Sequence, residues 1–155
     1  MPLMNRRTVL IACIAAALPS PSSAAVPTIH VVKGTGCECC EQWAAYLREN
    51  GFAVTDEERY GMLLIRFKME QGVPPKAYSC HTGMVEGYAL EGHVPAADIR
   101  RLLAERPEAV GLAVPGMPYG SPGMGPESER EAYDVFLIGK DGSMQIYSSY
   151  PQRNP

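Results

Sequence analysis

Residues 28–51 have the sequence TIHVVKGTGCECCEQWAAYLRENG. The first six residues are mostly apolar or β-branched and end at a Gly-Thr-Gly loop, so they predict a buried strand. Four residues after the loop repeat with the i, i+3, i+4, i+7 spacing of one helix face: Cys40, Trp43, Ala44 and Leu47. Asn50-Gly51 is typical of a helix C-terminus. The stretch therefore predicts a strand, a loop and a helix whose first turn carries Cys37, Cys39 and Cys40.

The rest of the chain continues to alternate strand and helix signals. The predicted elements are a strand at 52–55, a helix at 62–71, a strand at 84–90, a helix from Pro95 that buries Ile99, Leu102 and Leu103, and a hairpin of strands at 133–138 and 143–147. Residues 111–126 contain nine glycines and prolines in sixteen positions and predict an ordered loop without regular structure.

This order of elements is that of a thioredoxin-like α/β domain with a central mixed sheet, flanking helices and a C-terminal β-hairpin. In that architecture a proline-containing loop before the final hairpin lies against the cysteine-bearing end of the helix. Residues 114–118, VPGMP, are the candidate for this loop. We therefore expect Met117 to lie near Cys37.

The first 25 residues predict a cleaved export signal. Arg6 and Arg7 precede an apolar stretch at residues 8–18, and a small-residue cleavage site ends at Ala25. The eleven apolar residues are fewer than the ~20 that a membrane-spanning helix needs. We expect a periplasmic protein with one domain at residues 26–155 and no membrane span. Lipoprotein processing at Cys13 and twin-arginine export through Arg6-Arg7 are the two alternatives.

The charge of the exported chain argues against a nucleic-acid partner. Loss of Arg6 and Arg7 leaves 12 basic and 17 acidic residues, a formal charge of −5. No basic face for nucleic acid is expected from that balance. The 130 residues that remain of 155 are the size of one domain with a single core.

The cysteine spacing predicts a metal centre. Cys37 and Cys40 form a C-x-x-C pair, which can close a disulfide or share a metal. Three thiolates around one helical turn cannot all reach a single ion at tetrahedral angles, but they can bridge several ions. Cys80 would close such a polynuclear cluster. Thiolate and thioether ligands favour Cu(I), and a helix N-terminus stabilises the thiolates.

Four further side chains are candidate ligands: His81, His93, Met117 and Met124. His81 is favoured because it adjoins Cys80, whereas His93 could equally be an ordinary hydrogen-bonded histidine. The alternative for Met117 and Met124 is hydrophobic packing, which is the favoured interpretation for Met84. Trp43 and Tyr46 have the helical spacing of core residues, so we expect them to pack and not to stack on a cofactor.

Two disulfides are the structural alternative, because exported proteins meet an oxidising compartment. Two observations argue against it. The neighbours Cys39 and Cys40 cannot easily pair with each other, and a domain with this many Leu, Ile, Val and Phe residues does not need covalent staples.

Four motifs together resemble the CopG-like family of periplasmic copper-resistance proteins, which are thioredoxin-like metal-binding domains. They are GCECC at residues 36–40, SCHT at 79–82, EGHVP at 91–95 and PGMPYGSPGM at 115–124, within a similarity that spans residues 28–147. The resemblance implies copper binding by Cys37, Cys39, Cys40 and Cys80, with Met117 and His93 as plausible nearby ligands. Other periplasmic copper-handling proteins become candidate partners.

Three functional hypotheses follow. The first is a protein that captures several Cu(I) ions in a cysteine-bridged cluster and so limits copper toxicity. The second is a thiol-disulfide oxidoreductase with Cys37 as nucleophile, Cys40 as resolving thiol and a cis proline at Pro115 or Pro118. The third is a converter of Cu(I) and Cu(II). Cys39 argues against the second, because a dithiol enzyme has no evident use for a third thiol there.

Overall fold

The computed structural model describes residues 26–153. Within them, a seven-stranded sheet with strand order β2-β1-β3-β4-β5-β6-β7 is accompanied by three α-helices. The elements are β1 Thr28–Lys33, α1 Glu38–Glu49, β2 Ala53–Glu58, α2 Met62–Glu70, β3 His81–Val85, β4 Tyr88–Glu91, α3 Ala96–Glu105, β5 Ala109–Ala113, β6 Tyr133–Gly139 and β7 Met144–Tyr150, with short 3₁₀ turns at Pro75–Ala77 and Glu127–Glu129. This confirms the predicted mixed α/β single domain; the finer thioredoxin-like description stays a prediction.

The helix that carries the cysteines buries the face that its sequence predicts. Cys40, Trp43, Ala44 and Leu47 are the buried residues of α1. The Trp43 ring lies in the core, and its Nε1 donates a hydrogen bond to the Val94 carbonyl (3.0 Å). The hydroxyl of Tyr46 accepts a hydrogen bond from the backbone N–H of Ala96. Both aromatic side chains therefore tie α1 to the start of α3.

Two sequence predictions about the strands are wrong. The single strand expected at residues 84–90 is part of the hairpin β3–β4, which turns at Glu86-Gly87 with positive φ angles of 46° and 88°. The first residues of the loop predicted at 111–126 belong to β5, which pairs with β4 and β6. Its glycine content concealed this strand, although Gly111 pairs with Ala89 across the sheet.

The strand directions bring three chain segments to one edge of the sheet. Because β1 and β3 are antiparallel, the end of β1 lies beside the start of β3, with Lys33 opposite His81. β3 and β4 are also antiparallel, so Thr82 at the start of β3 faces Glu91 at the end of β4. The loop into α1, the residue before β3 and the residues after β4 therefore meet at this edge.

The core consists of two apolar clusters of buried residues. The larger includes Trp43, Leu47, Ile99 and Leu112, and the smaller includes Val73, Ala77 and Ile138. Met84 packs against the smaller cluster, which agrees with its interpretation as a packing residue.

The edge strands of the sheet are β2 and β7. Strand β2 carries three consecutive acidic residues: Asp56, Glu57 and Glu58. None of the helices in residues 26–153 has the length and apolarity needed to span a membrane. The predicted export signal at residues 1–25 lies outside the described residues.

Candidate metal centre

Four cysteine sulfurs meet at the edge of the sheet where α1 begins. The Sγ atoms of Cys37, Cys39, Cys40 and Cys80 all lie within 4.8 Å of one another. Cys37 is the N-cap residue of α1, and Cys80 immediately precedes β3. Cys39 lies between the two segments, because its Sγ is 3.6 Å from that of Cys37 and 3.6 Å from that of Cys80. The fold therefore gathers the four cysteines that the sequence analysis selected.

Cys37 and Cys40 form a disulfide, whereas Cys39 and Cys80 are free. In this state Cys37 and Cys40 are therefore not available as thiolates, and the role of the four cysteines as metal ligands stays a prediction. The Cα atoms of Cys37 and Cys40 are 5.3 Å apart, which is the ordinary separation for a bridged pair. Of the two disulfides in the structural alternative, one is present. Metal binding by all four sulfurs requires its reduction, since the thiolate is the metal ligand.

His93 presents a defined nitrogen to the cluster. Its Nδ1 lies 2.8 Å from the carbonyl oxygen of Pro122, and a carbonyl can only accept, so Nδ1 carries the proton. Nε2 of the neutral ring therefore holds a lone pair, and it lies 3.3 Å from Cys80 Sγ. Burial lowers the pKa of His93, which keeps the ring neutral. This is the arrangement of a metal-ligating histidine, whose second nitrogen is held by a hydrogen bond.

His81 is fully buried behind Cys80. Its Nδ1 lies 3.2 Å from Cys80 Sγ, and its Nε2 has no hydrogen-bond partner among the described residues. The ring packs on Trp43, with centroids 4.3 Å apart, and edge-on against His93. Burial, the neighbouring His93 and the Lys68 ammonium hold the pKa of His81 well below its usual range. His81, His93 and Cys80 thus form a second group of ligand atoms that shares Cys80 with the first.

Cys80 is a protonated thiol in the metal-free protein. Burial and the neighbouring Cys39 raise the pKa of Cys80 to about 12. A metal ion must therefore displace a proton from this sulfur, so metal uptake at Cys80 releases a proton.

The two candidate methionines have different positions. Met124 lines a shallow cleft of about 430 Å³ together with Cys39, Glu38 and Tyr119. Met117 is 53 % exposed and is not among the residues that line this cleft. The carbonyl of its neighbour Gly116 accepts a hydrogen bond from Ser79. Met124 therefore shares a cleft with Cys39, and ligand roles for Met124 and Met117 stay predictions.

The loop before the final hairpin contacts the start of α1 at Gly123, whereas a contact through residues 114–118 stays a prediction. A Cβ at Gly123 would lie 2.6 Å from the backbone nitrogen of Trp43 and 3.1 Å from the Cys39 carbonyl oxygen. Peptide bonds in residues 26–153 are all trans. The cis proline expected at Pro115 or Pro118 is absent, and these bonds have the isomer that is intrinsically favoured for proline.

Sequence reasoning missed two buried charged residues beside the cysteines. Lys68 and Glu91 are 1 % and 0 % exposed and form an ion pair of 2.5 Å. Lys68 lies in the largely apolar segment LLIRFKM of α2, and Glu91 ends the apolar strand YALE of β4, so a charged residue next to apolar ones was the available signal. Partners 23 positions apart could be joined only once the fold was known.

Comparisons with known proteins identify relatives of the whole domain. A family described as "Protein of unknown function, DUF411" matches residues 77–124. No curated protein matches the chain significantly. Two solved structures, described as "Copper resistance protein copG" Form 1 and Form 2, are 44 % and 42 % identical and have TM-scores of 0.74. The aligned parts cover 80 % and 81 % of this chain and 97 % and 99 % of those chains. The resemblance drawn from the motifs is thus confirmed, and the chain belongs to the family of the copper resistance protein CopG.

Proposed function

We propose that this protein binds copper and holds several Cu(I) ions in a cluster bridged by Cys37, Cys39, Cys40 and Cys80. In this proposal it is exported to the periplasm after loss of residues 1–25, and there it limits the toxicity of copper. The copper ions are its cargo, and the thiolates act as ligands and not as nucleophiles.

The convergence of four sulfurs within 4.8 Å carries this proposal. Soft thiolates select Cu(I) over harder ions. Thiolates this close together can also bridge several ions, which is the arrangement proposed here. The names of the two related structures, copper resistance proteins, support copper as the metal.

Imidazole and thioether groups would complete the coordination. Nε2 of His93 carries no proton and lies 3.3 Å from Cys80 Sγ, so it is the first candidate among the nitrogens. His81 is the second, because its buried ring contacts Cys80 and has one unpartnered nitrogen. Met124 borders the cleft beside Cys39 and is the better placed of the two loop methionines.

Copper loading is expected to depend on the redox state of Cys37 and Cys40. Two electrons and two protons convert their disulfide to two thiols, which then lose protons when copper binds. The oxidised protein offers only the Cys39 and Cys80 thiols together with the histidines. We therefore expect reduced protein to bind more Cu(I) than oxidised protein.

The proposal is tested by anaerobic copper titration of the reduced protein, with copper and protein measured by elemental analysis. More than one copper per chain is expected, with thiolate-to-copper absorption that grows until the cluster is full. The variant with serine at Cys37, Cys39 and Cys40 should lose this binding while it keeps its circular dichroism.

The matched control is the same protein with its Cys37–Cys40 disulfide left intact. A stoichiometry of one copper or fewer in the reduced protein would contradict the cluster. So would copper binding that survives the triple serine substitution.

A thiol-disulfide oxidoreductase is the second candidate, and the Cys37–Cys40 disulfide at the start of α1 favours it. In that reaction the reduced Cys37 and Cys40 thiols pass two electrons to a substrate disulfide and close to the Cys37–Cys40 disulfide, which an added dithiol then reduces again. Cys39 counts against it, because its sulfur lies 3.6 Å from Cys37 and could compete for the disulfide. Brisk insulin reduction by the copper-free protein, lost in Cys37→Ser, would favour the enzyme.

A further inference from the structure

The ion pair of Lys68 and Glu91 lies directly behind the cysteine cluster. Lys68 comes from α2 and Glu91 from the end of β4, and both side chains are almost completely buried. Buried ion pairs are often no more stabilising than apolar residues of the same volume. The position of this pair therefore calls for an explanation other than stability alone.

The Glu91 carboxylate binds the residues on both sides of Cys80-His81. The backbone N–H of Ser79 donates to Oε1 (2.6 Å), and the hydroxyl of Thr82 donates to Oε2 (2.6 Å). The Lys68 ammonium donates to the same carboxylate and to the Thr82 hydroxyl, at 2.5 and 3.0 Å. Hydrogen bonds to a charged group are stronger than neutral ones. One carboxylate thus fixes the start and the end of the segment that carries Cys80.

The same residue also fixes the strand end that leads to His93. The Glu91 carbonyl accepts a hydrogen bond from Val114 N–H, and the next residue, Gly92, donates from its backbone to the His81 carbonyl. Gly92 has φ +71°, and a Cβ there would lie 2.7 Å from the Ser79 side chain. The absence of a side chain at Gly92 lets the segment before His93 approach the segment before Cys80.

We propose that Glu91, with Lys68 as its counter-ion, is a positioning residue that sets the distance between Cys80 and His93. This inference rests on the proposed function, because it treats Cys80 and His93 as copper ligands. The Glu91 carboxylate makes no hydrogen bond to a cysteine sulfur or to the His93 ring among the described residues. It acts on the ligands through Ser79, Thr82 and Gly92. Removal of a residue that orients a metal ligand typically lowers the metal affinity by about 10- to 100-fold.

The first test compares Glu91→Gln with Asp98→Asn. Asp98 is also a buried carboxylate, but it accepts hydrogen bonds from Ser148 and Tyr150, away from the cysteines. Both variants lose a buried charge, although Glu91→Gln also leaves the buried Lys68 ammonium without its counter-ion, so urea unfolding of both variants accompanies the copper measurement. We expect Glu91→Gln to lower the Cu(I) affinity about 10- to 100-fold in competition with a chelator and to shift the thiolate-to-copper absorption. Asp98→Asn should retain the wild-type affinity and spectrum.

The second test uses variants of Thr82 and remains informative if Glu91→Gln does not fold. Thr82→Val removes the hydroxyl that Glu91 binds and keeps the shape of the side chain, whereas Thr82→Ser keeps the hydroxyl. We expect weaker copper binding and an altered spectrum in Thr82→Val, and wild-type behaviour in Thr82→Ser. A loss of packing alone would produce the reverse order, because serine is the smaller residue.

The outcomes separate this inference from the proposed function. Wild-type protein that binds copper, together with Glu91→Gln and Thr82→Val proteins that match it in affinity and spectrum, would overturn the positioning role alone. Wild-type reduced protein that takes up no copper would overturn the proposed function and this inference with it.

Discussion

Nε2 of His93 lies 3.3 Å from Cys80 Sγ, and the other ring nitrogen of His93 is held by the Pro122 carbonyl. The tautomer and the orientation of His93 are therefore set before any metal binds. A ligand that needs no rearrangement loses little freedom when metal binds.

The first prediction concerns this histidine. His93→Gln should lower the Cu(I) affinity by at least about tenfold, because it removes a preoriented ligand while the four cysteines remain. Competition with a chelator of known Cu(I) affinity measures the change. The control is His30→Gln, since His30 lies on β1 with an exposed side chain and bonds to Thr55. Equal affinities for the two variants would show that His93 is not a ligand.

The second prediction concerns the loop that covers the start of α1. Gly123→Ala should destabilise the metal-free protein more than Gly142→Ala, by about 1–3 kcal/mol, because the new methyl group meets the backbone of Trp43 and Cys39. Gly142 has a similar φ, +78° against +83°, but no atom within 4 Å of a Cβ, so it isolates the contact from the backbone strain. Urea unfolding compares the two. Equal free energies of unfolding would mean that the loop can move away from α1 without a loss of stability.

The third prediction concerns oxidation of the two free cysteines. Cys39 and Cys80 have sulfurs 3.6 Å apart, so mild oxidation of the metal-free protein by a small disulfide should join them. Peptide mapping under non-reducing conditions should then find Cys39 linked to Cys80 and Cys37 linked to Cys40. Bound copper should block the reaction, because it occupies the thiolates. A product made mainly of intermolecular dimers would contradict the proximity of the two sulfurs.

The fourth prediction concerns the pH dependence of stability. The pKa values of His81 and His93 are lowered in the folded protein, whereas a histidine in the unfolded chain titrates near pH ~6.5. Below that pH the unfolded chain binds more protons than the folded protein. The free energy of unfolding should therefore decrease as the pH falls, by up to about 1.4 kcal/mol per pH unit for each histidine.

Urea unfolding of the metal-free protein between about pH 7 and about pH 5 measures this dependence. His81→Gln should show a shallower decrease than the wild type, because one of the two proton sites is gone. His30→Gln serves as the control with an exposed histidine. A slope in His81→Gln equal to that of the wild type would refute the contribution of the buried ring.

Local sequence patterns predicted α1 and the strand before it, because the spacing of their apolar residues matches the residues that are buried. Cys40, Trp43, Ala44 and Leu47 are all buried, as the helical spacing predicts. The hairpin β3–β4 was missed because its turn, Glu86-Gly87, lies inside a run of apolar residues and lacks the usual Asn-Gly or Asp-Gly sequence. Two positive φ angles at consecutive residues are invisible to hydrophobic periodicity.

The composition of the candidate site was predicted, but its geometry was not. Cysteines and histidines could be selected by type, since few other side chains bind soft metals. The contact between Cys80 and His93 depends on the antiparallel pairing of β3 and β4. The Cys37–Cys40 disulfide was one of two chemical states that the C-x-x-C spacing allows, so spacing alone did not choose between them.

The acidic strand β2 has a consequence for the behaviour of many copies of this protein together. Asp56, Glu57 and Glu58 line one open side of the sheet. Charged side chains on such a strand repel the matching strand of a second molecule and so hinder growth into fibre-like stacks. The charged residues of β2 therefore disfavour pairing of this strand with the same strand of a second molecule.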